Sequence, residues 1–188
     1  MPIRLYFVRH GQTEANRRHR LSGGSSNHPL TKLGISQAIM CRTTISHLKP
    51  DAIYCSPQIR ACQTAEIAIA GIPNLPQITY DDRLREREFG SIDGTFAPLK
   101  AIKVWSYEQS YIKTNYGEET LFEFELRIQG FLDMVKSNHQ NQTVLVFSHG
   151  GVGTAMHAIL CDNHPRTGNY FEQFHIRNGA ITYFLLDE

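Results

Sequence analysis

Two apolar runs near opposite ends of the chain stop in the same manner, and together they restrict the fold more than any other feature. Ile3-Arg4-Leu5-Tyr6-Phe7-Val8 gives way to Arg9-His10-Gly11, and Thr143-Val144-Leu145-Val146-Phe147 gives way to Ser148-His149-Gly150-Gly151. β-Branched and aromatic runs of this length read as strands buried on both faces. In an α/β sheet the C-terminal strand ends share one edge, where ligands bind, so His10 and His149 are expected to meet there. Arg9 adds a cation, and Gly11 lets the backbone turn sharply or approach a ligand. Gln12-Thr13-Glu14 could then open a helix with free N–H groups, which makes the junction an expected anion site.

The rest of the composition narrows the class. At 188 residues with 41% apolar and 20% charged residues, the chain fits one domain able to bury a core without staples. A net charge of +1 provides no broad field for nucleic acid or for an acidic membrane. Cys41, Cys55, Cys62 and Cys161 show no CxxC or metal-ligand spacing, and they read as reduced core residues of a cytoplasmic protein. The N-terminus enters a strand within three residues and lacks a signal-peptide pattern, and no apolar run approaches the roughly 18 residues that span a bilayer.

Between the two junctions strands and helices alternate. Arg17, Arg18, His19 and Arg20 form either a basic rim that draws in phosphates or a solvated helix face. Thr31 is an expected N-cap for a helix to about His47, with Leu33, Ala38, Ile39, Ile45 and Leu48 as its apolar stripe. Ala52–Cys55 is a short strand, and a helix from about Gln58 to Ala70 follows it. Arg60 falls in that helix's first turn, where a cation gains nothing from the dipole, so either a ligand or a surface ion pair holds it. Ile78–Tyr80 is an edge strand; the alternating charges from Asp81 to Glu88 read as a solvated segment on composition alone.

The stretch from about 91 to 117 is expected to cap the sheet edge, with Trp105, Tyr107 and Tyr111 as a substrate lid or a satellite core. A long helix from about Glu118 to Ser137 presents Leu121, Phe124, Ile128, Phe131, Leu132 and Val135 on one face, and a shorter apolar helix runs from Val152 to Leu160. Phe174–Ile176 and Ala180–Leu186 read as a closing strand pair around Arg177-Asn178-Gly179. The expected architecture is a three-layer α/β/α sandwich with a mostly parallel central sheet and an antiparallel edge strand.

At this point an ordered set of motifs resembles the histidine phosphatase superfamily, also called phosphoglycerate mutase-like. It comprises Val8-Arg9-His10-Gly11-Gln12-Thr13 with Asn16, Pro29-Leu30-Thr31 with Gly34 and Gln37-Ala38, and Ser56-Pro57 with Arg60-Ala61 and Thr64-Ala65. It continues through Leu84, Glu86, Phe89-Gly90 and Gly94, then Gly117-Glu118 with Phe124 and Arg127, to Ser148-His149-Gly150-Gly151.

The resemblance implies a phosphoryl-transfer enzyme that needs no metal or other cofactor. It makes His10 the nucleophile, places Arg9, Arg60 and His149 in the phosphate pocket, and gives Asn16 the part of a neutral donor. Gly11 and Gly150 keep the backbone close, and Glu86 is the acid and base, with Glu88 and Asp82 as fallbacks. In-line transfer rests on positioning and on cations already in place, and arginine suits that task because its planar fork meets two phosphate oxygens.

Three features depart from the family pattern: a loop from Arg20 to Pro29 one residue longer, Asn27 in place of an aspartate, and Ile92-Asp93-Gly94 in place of Trp-Glu-Gly. They put specificity in question, and Ser22 and Gly23 are candidate substrate contacts. The expected partner is a small phosphate ester, with a homodimer left open. A mutase is the rival reading, disfavoured by the short stretch between Glu86 and His149. A catalytically weak phosphate-binding protein and a phosphohistidine protein phosphatase are further alternatives.

Overall fold

In the computed structural model, which describes residues 2–96, 116–161 and 174–186, the first apolar run is strand β1 (Ile3–Arg9). It is followed by the one-turn helix α1 (Glu14–Arg17), α2 (Lys32–Ile45), β2 (Ala52–Cys55), α3 (Ile59–Ile69) and β3 (Ile78–Tyr80). After two 3₁₀ turns come α4 (Leu121–Asn138), β4 (Thr143–Ser148), α5 (Gly150–Leu160) and β5 (Ile181–Leu186). The strands form one sheet in the order β3-β2-β4-β1-β5, parallel except for β5, which runs antiparallel to β1 at the edge.

The two buried runs pair with each other, Arg4 opposite Thr143 through to Arg9 opposite Ser148. Every residue of β4 is buried, because helices cover both faces of the sheet. Period-two alternation divides the side chains between two cores. Ile3, Leu5, Phe7, Val144 and Val146 join α4 and α5 on one face, whereas Val8, Leu145 and Phe147 join α2 and α3 on the other. The six residues expected on one face of α4, Leu121 through Val135, are all fully buried, each adding about 1.5–3 kcal/mol of hydrophobic stabilisation. That helix begins at a capping box, Thr120 with Glu123.

Two expectations are corrected here. Thr31 caps α2 by accepting from the Gly34 N–H at 3.1 Å, but the buried face is Gly34, Ala38, Cys41 and Ile45, while Leu33 and Ile39 lie 52% and 49% exposed. The cause is a close backbone approach. A Cβ at Gly34 would sit 2.2 Å from the Gln12 carbonyl oxygen, and one at Gly11 would sit 2.3 Å from that of Gly34. α2 therefore rests its smallest residues against the segment that follows β1. Secondly, Phe174–Ile176 forms no strand, and β5 pairs with β1 instead. The carbonyls of Phe174 and Ile176 are taken by the Thr154 hydroxyl and the Arg9 guanidinium, so they are not offered to a ladder.

The capping stretch, with Trp105, Tyr107 and Tyr111, falls largely outside the described residues. Among those described, no helix is long and apolar enough to cross a membrane. Cys41 and Cys55 are buried as expected, but Cys62 is half-buried and Cys161 exposed.

The Gly11–Gly34 contact carries a direct expectation. Gly34→Ala forces a methyl group against backbone on a neighbouring segment and costs about 1–3 kcal/mol by chemical denaturation. Leu33→Ser, one position away on the exposed side, stays within about 0.5 kcal/mol.

Candidate active site

The parallel ladder sets the two histidines side by side. The His10 N–H donates to the Ser148 carbonyl at 2.9 Å, one step beyond the end of β1, and the two imidazole centroids lie 5.2 Å apart. The Ser56 N–H likewise donates to the Phe147 carbonyl at 2.9 Å, so the tip of β2 joins the same sheet edge. Both histidines are buried, as are Ser56, Arg60 and Glu86.

The hydrogen bonds of His10 fix its tautomer. Nδ1 lies 2.7 Å from the Gly11 carbonyl, which can only accept, so Nδ1 carries the hydrogen and Nε2 keeps its lone pair. Burial, reinforced by the charges of Arg60 and Arg9, holds its pKa well below the ordinary histidine value and keeps the ring neutral. Its backbone is held as well. Asn178 Nδ2 donates to the His10 carbonyl at 3.1 Å, and the Gly11 N–H donates to Thr64 Oγ1 at 3.0 Å.

Two arginines flank this ring. Arg60 is fully buried; its Nε donates to His149 Nδ1 at 3.2 Å, and its other nitrogens donate to the carbonyls of Ser22, Gly23 and Ser26. Desolvation lowers its pKa to about 10, with Glu86 and Asp93 opposing the fall, so it remains a cation near neutrality. Arg9 donates from Nη1 to the Ile176 carbonyl, while its buried Nε has no hydrogen-bond partner among the described residues. Burial lowers the Arg9 pKa too, and the Glu86 charge works against that. The guanidinium lies over Gly150, where a Cβ would stand 3.1 Å from Cζ.

His149 precedes α5 and accepts from Arg60 at Nδ1, so its Nε2 carries the hydrogen and donates to Ser56 Oγ at 2.8 Å. Burial and the nearby Arg60 charge hold its pKa well below the ordinary value. Both ring nitrogens thus have protein partners, and the ring fixes Arg60 and Ser56 beside His10.

Glu86 reaches the same place from the charge-dense segment. Its Oε2 accepts from the Gly151 N–H at the start of α5 at 3.0 Å, and Oε1 accepts from the Arg87 N–H at 2.9 Å. Its backbone is clamped by Gln58 Oε1, which accepts from the Glu86 N–H at 2.8 Å, and by Arg127, which donates to its carbonyl at 3.1 Å. The fallback acids stand apart: Asp82 is solvated with its side chain 87% exposed, and Glu88 accepts from Ser25 and the Phe89 and Gly90 N–H groups.

Asn16 directs Oδ1 at Thr13 and Asn178, which leaves its Nδ2 hydrogens as what it can offer a ligand. Ser22 and Gly23 enter through their carbonyls on Arg60 rather than through side chains. Asn27, at the position that departs from the family pattern, accepts from the Ile59 N–H at 2.8 Å and so caps α3 from a distant loop. Asp93 accepts from the Gly23 N–H and from Ser26 Oγ. In the basic run, Arg17 and Arg18 both grip Glu14 on the exposed surface. Among the described residues no three His, Cys, Asp or Glu side chains gather as a metal site would.

Sequence reasoning missed Gln58, whose Nε2 donates to the carbonyls of Gly23, Gly24 and Ser26, and it missed Asn178. Both are polar residues in segments read only for their apolar or turn character, and their side-chain partners lie 28 or more positions away, where no local pattern reaches.

Comparison with known proteins gives the same grouping. The chain is 37% identical to a Hydrogenobacter thermophilus protein provisionally named phosphoserine phosphatase 2, over 95% of its own length and 87% of the relative's. It is 30% identical to an agropine synthesis reductase of Rhizobium rhizogenes, over 96% of its own length but only 39% of that longer protein. The structure of an Escherichia coli protein provisionally described as an α-ribazole-5′-P phosphatase superposes with a TM-score of 0.82 at 25% identity, covering 99% of this chain and 91% of that one. Residues 5–188 match the profile of the histidine phosphatase superfamily, branch 1. With a matching profile across nearly the whole chain, and His10, Arg9, Arg60, His149 and Glu86 gathered at one sheet edge, this protein belongs to the histidine phosphatase superfamily.

Proposed function

We propose that the protein is a metal-independent phosphatase that hydrolyses a small phosphate monoester through a phosphohistidine on His10. The observation that carries the reading is a buried, neutral imidazole with Nδ1 tied to a carbonyl and Nε2 left as a lone pair, set between two arginines. In the first step Nε2 attacks phosphorus in line, the N–P bond forms, and the ester P–O bond breaks. Glu86 gives a proton to the departing oxygen. In the second step water attacks phosphorus, Glu86 takes a proton from it, and the N–P bond breaks to release inorganic phosphate. Splitting one displacement in two lowers each barrier.

Arg60 and the unpartnered Arg9 Nε supply donors for the non-bridging oxygens, where negative charge spreads in the transition state. Asn16 Nδ2 adds a neutral donor. His149 acts through Arg60, holding its Nε and thereby its fork. The phosphatase names among relatives support this chemistry, and their different substrates leave the ester itself to the residues around the pocket.

Three measurements test the reading. His10→Ala lowers phosphomonoesterase turnover by on the order of 10⁴-fold or more with the fold intact by circular dichroism, and EDTA leaves the parent's turnover unchanged. Retained activity in the variant removes His10 as nucleophile. Glu86→Gln slows an alkyl phosphate by about 10²- to 10⁴-fold but p-nitrophenyl phosphate far less, because nitrophenolate leaves without a proton. Equal slowing assigns the acid elsewhere.

The buried histidines also give a pH signature. Their native pKa values lie below those of the unfolded chain, so as pH falls through the ordinary histidine range the unfolded state takes up protons that the native state refuses, and stability declines. The thermal midpoint therefore drops from pH 7 to pH 5, and less steeply in His10→Ala. Identical slopes would mean that the native ring protonates freely.

A further inference from the structure

Two thiols meet directly beneath the phosphate pocket. Cys55 is the last residue of β2 and fully buried; Cys62 lies in the second turn of α3 and is half-buried. Their sulfurs converge on one acceptor, the Ser56 carbonyl, at 3.2 Å from Cys55 and 3.4 Å from Cys62. Ser56 is also the residue whose hydroxyl holds His149 Nε2, and Arg60, between the two cysteines in sequence, holds His149 Nδ1. The dithiol therefore brackets the backbone that fixes both groups beside His10.

We propose that Cys55 and Cys62 are a peroxide-sensitive modification site, and that a disulfide between them disables the phosphate pocket through Ser56 and Arg60. The two partners have unlike exposure, as a sensing pair requires. Cys62 is reachable from solvent, and Cys55 waits behind it in the apolar layer with Ala61, Ala65 and Phe147. The adjacent Cys55 thiol lowers the Cys62 pKa, against burial and the Glu66 charge, and so favours the thiolate that reacts with oxidants. Cys41, by contrast, is buried with its thiol on the Gly179 carbonyl, and burial raises its pKa.

The chemistry balances with hydrogen peroxide as oxidant. The Cys62 thiolate attacks one peroxide oxygen; the S–O bond forms, the O–O bond breaks, and hydroxide leaves to become water with the Cys55 proton. Cys55 sulfur then attacks Cys62 sulfur; the S–S bond forms and the S–O bond breaks, releasing a second hydroxide that becomes water with the proton Cys62 gave to solvent when it ionised. Two electrons pass from the thiols to the peroxide, and an external dithiol reverses the step. The new bond takes both S–H donors from the Ser56 carbonyl and ties the β2 tip to the second turn of α3. Ser56 and Arg60 shift together, and His149 with them.

The effect on turnover rests on the proposed phosphatase reading, whereas the cross-link does not, and the experiment separates them. The reduced full-length protein is treated with hydrogen peroxide, free thiols are blocked with iodoacetamide, and the product is digested with trypsin without reductant. Cleavage after Arg60 places the two cysteines in different peptides, 43–60 and 61–83. The expected result is that pair joined by a disulfide, with p-nitrophenyl phosphate turnover reduced at least about tenfold, as displaced positioning groups predict. Dithiothreitol restores turnover, and Cys62→Ser and Cys55→Ala both keep it under the same peroxide dose.

Absence of the linked pair overturns the proposal. So does a linked pair with unchanged turnover, or equal peroxide inactivation of Cys62→Ser. Should the untreated reduced protein be inactive, the phosphatase reading fails instead; calorimetric titration with inorganic phosphate before and after oxidation then decides, and unchanged binding in the cross-linked protein overturns the coupling.

Discussion

Arg60 carries its charge wholly out of water, and all but one of its donors are met by three main-chain carbonyls and an imidazole nitrogen rather than by a carboxylate. Burying a guanidinium costs several kcal/mol unless strong partners replace its hydration. Carbonyl dipoles replace that hydration without cancelling the charge, so a positive potential persists inside the cleft. Much of the surrounding structure serves this one arrangement. Gln58 fastens the carbonyl-bearing loop, Asp93 holds its Gly23 and Ser26, and Asn27 ties it to the start of α3. Burial, reinforced by this same charge, keeps His10 and His149 neutral, so two uncharged imidazoles stand beside the buried cation.

The sheet puts this charge beside the histidines because β4 lies between β1 and β2, so three strand tips from distant parts of the chain end side by side. Rigid elements carry nearly every group involved. His10, His149 and Ser56 follow strands, Arg60 sits in a helix, and the Gly151 N–H that meets Glu86 belongs to the first turn of α5. Catalytic geometry fixed in this way needs little reorganisation when charge develops.

How much of this was legible in the sequence depended on the range of the physics involved. β1, β4 and α4 were readable because burial on both faces or on one stripe leaves a local periodic trace. His10 and His149 were readable because each interrupts such a trace with glycine following. The buried face of α2 was not, since Gly34 follows from contact with Gln12 across the chain and the exposed Leu33 and Ile39 imitate a core stripe. Phe174–Ile176 misled for a related reason: its apolar residues suit a strand, but Thr154 and Arg9 claim its carbonyls. Glu86 stood out only by family resemblance, because its segment, read locally, is a solvated run of charges, while Arg127, Gln58 and the Gly151 amide draw it inward.

The loop around Arg60 has a consequence for how such a protein can change over generations. Its contacts with the guanidinium are made by the carbonyls of Ser22, Gly23 and Ser26, atoms that every amino acid possesses. Gly23 is confined by the Arg87 carbonyl and the Phe89 ring, but the Ser22 hydroxyl has no bond to lose among the described residues. Mutation can therefore change the side chain at Ser22 while the carbonyl beneath it and the cation it holds stay in place. A scaffold wired through its main chain separates the inheritance of reactivity from the inheritance of preference.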